Sequence, residues 1–434
     1  MFEVILKHAP KYLSGSFFSA VVGMLMLKYY TYVFDPVSFG VLSLYLVMFK
    51  YVTTIVSLNL DSASTRFYFD YRLDRRDEYL STIFWFITFI SFIVFIVALF
   101  FMDSISNWIA TNTKWIYLLT LISAIVAVYV SFLMRILYNE QKSISVLKHT
   151  ILQTLINHTA SVVFILKLGI LGRIGGLGLG YLWNFATLLK EFANEQLFRL
   201  KFVFNIAMVR ETLLLSLPSI IASVQTVLFV YLDRIFIKHY LGDGLVGIYT
   251  LGYILGQGLS MIYEAITQAV LPKVYSGLKE NYESSIIELE RFSYIYYSGL
   301  LIVTLLISGL APVIVNLLSN KSYAQASSVM PFIMAGFMMG GFYKIPSLIL
   351  GFHKVVWFYP FLAFVSFGTN ALLNWWLIPN YGIVGASFAS FAGLFIYSAI
   401  MQYISKKYVS NHYIIFVCII YLTVFTIALG AFYG

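Results

Sequence analysis

Runs of about 20 or more apolar residues alternate along the chain with short polar turns, and within several runs polar residues recur every three, four or seven positions. Twenty residues of helix rise about 30 Å, enough to cross the hydrocarbon core of a bilayer. The pattern predicts spanning helices over 12–34, 38–60, 80–102, 115–138, 148–170, 174–193, 212–241, 244–271, 290–311, 326–350, 355–378, 381–403 and 413–433. Hydropathy alone would cut the seventh near Tyr231. It is extended because an internal repeat aligns it with the whole first span.

That repeat is visible in the breaks. Asp35-Pro36-Val37-Ser38-Phe39-Gly40 corresponds to Gly242-Asp243-Gly244-Leu245-Val246-Gly247, with Gly40 and Gly247 offset by 207 positions. Gly172-Arg173-Ile174-Gly175 matches Gly382-Ile383-Val384-Gly385 at an offset of 210, and Arg66-Phe67-Tyr68 matches Lys273-Val274-Tyr275. Each match is short, and the common offset is what carries the duplication. Six spans on either side of a charged connector give both halves the same orientation, the arrangement of parallel-repeat transporters. The expected fold is an all-α integral membrane protein of about 12–14 transmembrane helices. It consists of a six-helix lobe over 1–193, a cytoplasmic connector over 194–211, a second six-helix lobe over 212–404, and an additional helix within 405–434, with a central cavity between the lobes.

Composition supports a membrane. Hydrophobic residues make up 60% and charged residues 11% of the chain, against about 25% charged in a soluble domain; the mean hydropathy is +0.86. Cys418 is the only cysteine, which excludes a disulfide framework and a cysteine metal site, and the six histidines show no metal-ligand spacing. No cleavable signal peptide is expected, because the first apolar run is too long and leads directly into a second. Lys and Arg concentrate in alternate turns, with Lys7 and Lys11 on the same side as Arg66, Arg75, Arg76, Lys142, Arg199 and Lys273. The positive-inside rule therefore puts the N-terminus in the cytoplasm and accounts for most of the +9 net charge without nucleic acid. Gly172, Gly176 and Gly180 follow no strand and precede no Lys-Ser/Thr, so they suit close helix packing better than a phosphate cradle.

The polar positions inside the apolar runs carry the candidate chemistry. The second span holds Ser43, Lys50, Thr53, Thr54, Ser57 and Asp61, and most share one helical face. Shifted by 207, these land on Thr250, Gln257, Ser260, Glu264 and Gln268 of the eighth span, so the polarity of the face is kept while the chemistry changes. Ser216, Ser219, Ser223 and Thr226 step along the seventh span toward Asp233 and Arg234; Lys28 lies at similar depth in the first span and Lys344 in the tenth, before Pro346. A charge near the bilayer centre costs on the order of 2.5–3.5 kcal/mol, so these groups must face a wet interior, pair, or reach an interface. Facing stripes with Lys28, Lys50, Arg234 and Lys344, helped by Gln257 and Ser57, suit an anionic substrate rich in hydroxyls. Asp233, Glu264 and Asp61 are the acids available for ion coupling, to protons or to sodium; no resident cofactor is expected. His158 reads as a satisfied core histidine, and Pro218 and Pro346 as kinks.

Three segments then resemble a known family. The stretch from Phe17 to Phe69 with Asp35-Pro36-x-x-Phe39-Gly40 is similar to the N-terminal signature of Wzx-type polysaccharide repeat-unit flippases, within the multidrug/oligosaccharidyl-lipid/polysaccharide exporter superfamily. Asp233-Arg234-Ile235-Phe236-Ile237 with Val246-Gly247-Ile248-Tyr249 resembles that family's seventh-to-eighth helix signature. Asn374-x-x-Leu377-Ile378-Pro379-Asn380-Tyr381-Gly382-Ile383-Val384-Gly385-Ala386 resembles its eleventh-to-twelfth. The resemblance implies a MATE-like fold in a bacterial inner membrane. It implies translocation of an undecaprenyl-pyrophosphate-linked oligosaccharide from the cytoplasmic to the periplasmic leaflet by alternating access, for O-antigen or capsule synthesis. Membrane lipid and the polysaccharide polymerase machinery are the further partners expected, and one chain should suffice as a monomer. The first turn departs from the commoner Gly-Pro form, having Asp35-Pro36. Two other readings stay open. One is export of a drug or a cell-wall lipid by the same superfamily, against which the basic lean of the charges counts. The other is a membrane polymerase or glycosyltransferase, which would need a large outside loop with catalytic acids; the loops at 103–114 and 311–325 are short and hold only Asp103 as a carboxylate.

Overall fold

The computed structural model describes residues 2–71, 73–355 and 357–408. The expected thirteenth span, 413–433, lies outside the described residues. The chain is helical throughout, with no strand among the described residues. In order the helices are α1 (Phe2–Val33), α2 (Pro36–Ser57), α3 (Leu60–Asp70), α4 (Leu73–Phe100), α5 (Met102–Ile109), α6 (Lys114–Asn139), α7 (Ser143–Glu195), α8 (Ile206–Leu241), α9 (Asp243–Glu280), α10 (Tyr282–Gly309), α11 (Ala311–Leu318), α12 (Ala326–Phe342), α13 (Lys344–Phe352) and α14 (Tyr359–Ser405). Nine stretches among the described residues are long and apolar enough to cross a membrane, and Phe17–Val33 is a shorter apolar helix. Two of the nine, α7 and α14, run to 53 and 47 residues and each holds two expected spans.

What joins those double spans is a single glycine. Gly169 (φ 53°, ψ −126°) in α7 and Gly382 (φ 61°, ψ −143°) in α14 reverse the chain without a loop, a conformation open to glycine at little cost. Past Gly169 the returning strand of helix lies against the outgoing one: a Cβ on Gly172 would sit 2.4 Å from the Phe164 carbonyl, and one on Gly176 2.2 Å from Ser161 Oγ. The glycines four apart thus serve helix packing, as their spacing predicted.

Other boundaries differ from the sequence pattern. The second span does not run smoothly to 60; it breaks at Leu58 (φ 42°) and Asn59 (φ 51°), and α3 resumes at Leu60. The expected loops at 103–114 and 311–325 are not bare turns, since they carry α5 and α11. Arg173, expected in such a loop, is buried within α7, where its guanidinium donates to Asn157 Oδ1 (2.9 Å) and lies over the Tyr30 ring. Tyr30 Oη in turn meets His158 Nδ1 at 2.9 Å, so His158 is a satisfied core residue.

The chain forms two compact units. One comprises Met1–Phe34 with Val41–Val227, the other Asp35–Gly40 with Leu228–Gly434. In the first, α6 and α1 pack on α7, and the connector returns along α4: Trp85 Nε1 donates to Lys201 O (2.9 Å) and Lys201 N to Ser81 Oγ (2.9 Å). At the charged helix ends Arg76, Glu140 and Tyr68 form a cluster, in which burial and the Glu140 carboxylate raise the Tyr68 phenol above its usual value. In the second, the stretch Ala326–Phe352, α12 with α13, is the enclosed one, 78% buried over its apolar window, with α9, α10 and α14 against α12. The short segment 35–40 packs there too. Asp35 Oδ1 accepts from Ser38 N (3.0 Å), Pro36 opens α2, and a Cβ on Gly40 would lie 1.9 Å from Asp243 O. A Cβ on Gly247 would meet Pro36 O at 2.1 Å. The two glycines that correspond in the repeat are therefore in backbone contact.

Candidate functional site

In the first unit the polar stripe of α2 opens onto a cavity of about 320 Å³ inside the membrane-spanning region. Lys50, Thr53, Thr54 and Ser57 line it from α2, and Asp61, Ser131 and Tyr181 close it from α3, α6 and α7. The hydroxyls of Thr53 and Ser57 donate back to the carbonyls of Lys50 (2.9 Å) and Thr54 (3.3 Å), which leaves their oxygens to accept from a ligand. Asp61 is engaged: Ser131 Oγ donates to its carboxylate (2.9 Å) and Arg135 stands 4.0 Å away. Lys50 is exposed, and no carboxylate among the described residues pairs with it. An ammonium with accessible donors and a wall of hydroxyls can hold an oxyanion and hydrogen-bond a polyol. Leu58 and Asn59, left-handed without being glycine, sit where α2 ends beside this cavity. Lys28 is exposed on α1 and is not part of the cavity wall.

In the second unit the predicted residues separate into two groups. Asp233, fully buried, accepts from Asn374 Nδ2 (2.6 Å), Asn370 Nδ2 (3.1 Å), Ser390 Oγ (2.5 Å) and the Tyr249 hydroxyl. Arg234 is also buried (3% exposed); it donates to Thr250 Oγ1 (3.1 Å) and Val230 O (2.8 Å) and lies over the rings of Tyr253 and Tyr231. These two residues fasten α8 to α9 and α14. The second group is open. Lys344 Nζ meets Glu264 Oε1 at 2.6 Å, and Gln257 is exposed on the same helix as Glu264.

Lys344 stands just past a break in the tenth span. Pro346 has no N–H to give the carbonyl of Phe342, four residues back, and the helix stops at Phe342 and restarts at Lys344. The freed Phe342 oxygen accepts from Tyr297 Oη (3.0 Å) and Gln402 Nε2 (2.9 Å), and Gly341 O from Tyr296 Oη (3.1 Å). Discontinuous helices of this kind are where transporters place their binding groups.

Larger hollows of about 610 and 510 Å³ lie at charged helix ends, around Lys142, Lys190 and Glu191 and around Lys273, Glu280 and Glu288. Size does not choose between these and the cavity at Lys50; a polar cavity within an apolar span is the one that needs a functional reason. Among the described residues no group of three or more His, Cys, Asp or Glu stands together to hold a metal ion. The sequence pattern missed Asn370, Ser390, Ser131 and Arg135, because their partners lie far along the chain. Asn374 was visible only as part of a signature.

A family described as polysaccharide biosynthesis protein matches residues 5–276 of this sequence. No curated protein matches it. Among solved structures, the lipid II flippase MurJ in an inward closed conformation is similar at a TM-score of 0.75 with 16% identity, over 96% of this chain and 92% of that one. An inward-facing multidrug resistance MATE family transporter of the MOP superfamily is similar at 0.73 with 12% identity, over 90% and 94%. A MOP superfamily transporter from Pyrococcus furiosus gives 0.65 with 13% identity, over 93% and 95%. At these identities the likeness establishes the fold, an all-α multi-pass membrane fold of the MOP type.

Proposed function

We infer that this chain, which belongs to the polysaccharide biosynthesis protein family, is a flippase that carries a lipid-linked saccharide unit from the cytoplasmic to the outer leaflet. It works by alternating access, as a transporter and not as an enzyme. The observation that carries this reading is the cavity at Lys50: an ammonium that pairs with no carboxylate among the described residues, over a wall of hydroxyls, inside a span that otherwise repels charge. Such a surface fits a ligand with an oxyanion and many hydroxyls, which is what a sugar on a pyrophosphate-linked lipid presents. The undecaprenyl pyrophosphate carrier and a role in O-antigen or capsule synthesis rest on the family resemblance. So does an inner-membrane location; the cytoplasmic N-terminus rests on the basic turns.

Of the three acids expected to couple an ion, Asp233 has four donors of its own and Asp61 holds Ser131 and Arg135. Glu264, half-exposed and paired with one lysine, is the one free to exchange partners.

Lys50→Ala should abolish surface polysaccharide in a strain that depends on this chain, with the variant present in the membrane at the normal level. Lys50→Arg should retain part of the activity. Full polysaccharide with Lys50→Ala would remove the cavity from the transport path.

A further inference from the structure

The Lys344–Glu264 pair lies inside two of the expected spans, with Glu264 seven residues from the end of 244–271 and Lys344 six from the end of 326–350. Glu264 is 21 residues from the start of α9 and 16 from its end, about 31 and 24 Å along the helix. Its two members are held differently. The Lys344 side chain is 17% exposed, at the head of α13, with its ammonium 5.6 Å from the centre of the Tyr263 ring and 5.3 Å from that of Tyr343. The Glu264 side chain is 47% exposed. The other titratable groups that face the carboxylate are neutral phenols: Tyr263 from its own helix, Tyr296 from α10 and Tyr343 at the α12–α13 junction. The cation is fixed by aromatic rings and the anion stands on the open side, along the stripe that carries Gln257 and Ser260.

We propose that this pair is a site at which a phosphate-type oxyanion and a proton bind together. Resting on the flippase reading above, the inference assigns the coupling of that transport to an exchange at Lys344. An incoming phosphate oxygen takes the ammonium from Glu264. The displaced carboxylate, left without its cation, takes up a proton from the bulk solvent. Charge balances: one Lys⁺ and one Glu⁻ before, one Lys⁺ facing one phosphate charge and a neutral carboxylic acid after. Ser260 and Gln257 then supply hydrogen bonds one and two turns away. Because a proton is taken up with the anion, anion affinity must fall as pH rises, by up to tenfold per pH unit for one proton.

The test is equilibrium binding of farnesyl pyrophosphate to the full-length protein in nanodiscs between pH 5.5 and 8. The probe's own phosphate titration is common to all variants, so the ratio of wild-type to Glu264→Gln affinity is read. The ratio should fall as pH rises, with Glu264→Gln the tighter binder at the alkaline end. Lys344→Gln/Glu264→Gln, which leaves no unpaired charge to disturb the fold, should lose the probe at least tenfold and lose the pH dependence of the ratio. A ratio that stays flat in a protein that binds the probe overturns the coupling and leaves the flippase reading standing. No binding at any pH, together with normal outer-leaflet delivery in a strain lacking the chain, overturns both.

Discussion

An ammonium and two carboxylates in the apolar part of this chain meet three different fates, and neighbours up to 157 positions away decide which. Asp233 is saturated by the amides of Asn370 and Asn374 and by two hydroxyls; Glu264 is paired once and open; Lys50 lines a cavity and pairs with no carboxylate among the described residues. Burying an unpaired carboxylate would cost several kcal/mol, so Asp233 depends on its donors. Asn374→Leu should lower stability by about 2 kcal/mol, the worth of one hydrogen bond to a charged group, seen as a lower unfolding temperature in detergent. An unchanged midpoint would mean that the amide contributes nothing to holding the carboxylate. Depth along each span marked all these residues as unusual in the sequence. It did not separate fastening residues from open ones, because three of the four donors to Asp233 come from α14, 137 to 157 positions away.

At the scale of helices, periodicity located the twelve spans that fall among the described residues, and the glycine motifs located the reversals at Gly169 and Gly382. The break after Ser57 was not legible: Leu58 and Asn59 carry no glycine or proline, and only tertiary packing holds Leu58 at positive φ. The break in the tenth span was half legible. Pro346 announced it, but the helix parts three residues earlier, at Tyr343, because the proline's missing donor is felt at the carbonyl four residues back. Tyr297→Phe should therefore cost about 1 kcal/mol in the wild type, by stripping a donor from Phe342 O. In a Pro346→Ala background the restored backbone N–H takes that place, and Tyr297→Phe should cost close to nothing. A double-mutant cycle on thermal unfolding reads the difference, and equal costs in both backgrounds would disprove the account of the break.

For the molecule as a whole, the sequence reading rested on a repeat, and the two glycines that mark it share a contact. A Cβ on Gly40 or Gly247 would strike the backbone of the other turn, at Asp243 O and Pro36 O respectively. Gly40 and Gly247 thus mark a place where two helix starts must approach closely, which ties these small residues to packing. The family match over 5–276 places the chain among polysaccharide biosynthesis proteins, and its fold is like that of the MOP transporters of known structure. The measurement that tests the flippase reading most directly is the leaflet location of lipid-linked saccharides in a strain lacking the chain. The flippase account predicts single units stranded on the cytoplasmic leaflet, inaccessible to a probe added from outside. Units that reach the outer leaflet but stay unpolymerised would contradict it and point to an enzyme acting after translocation.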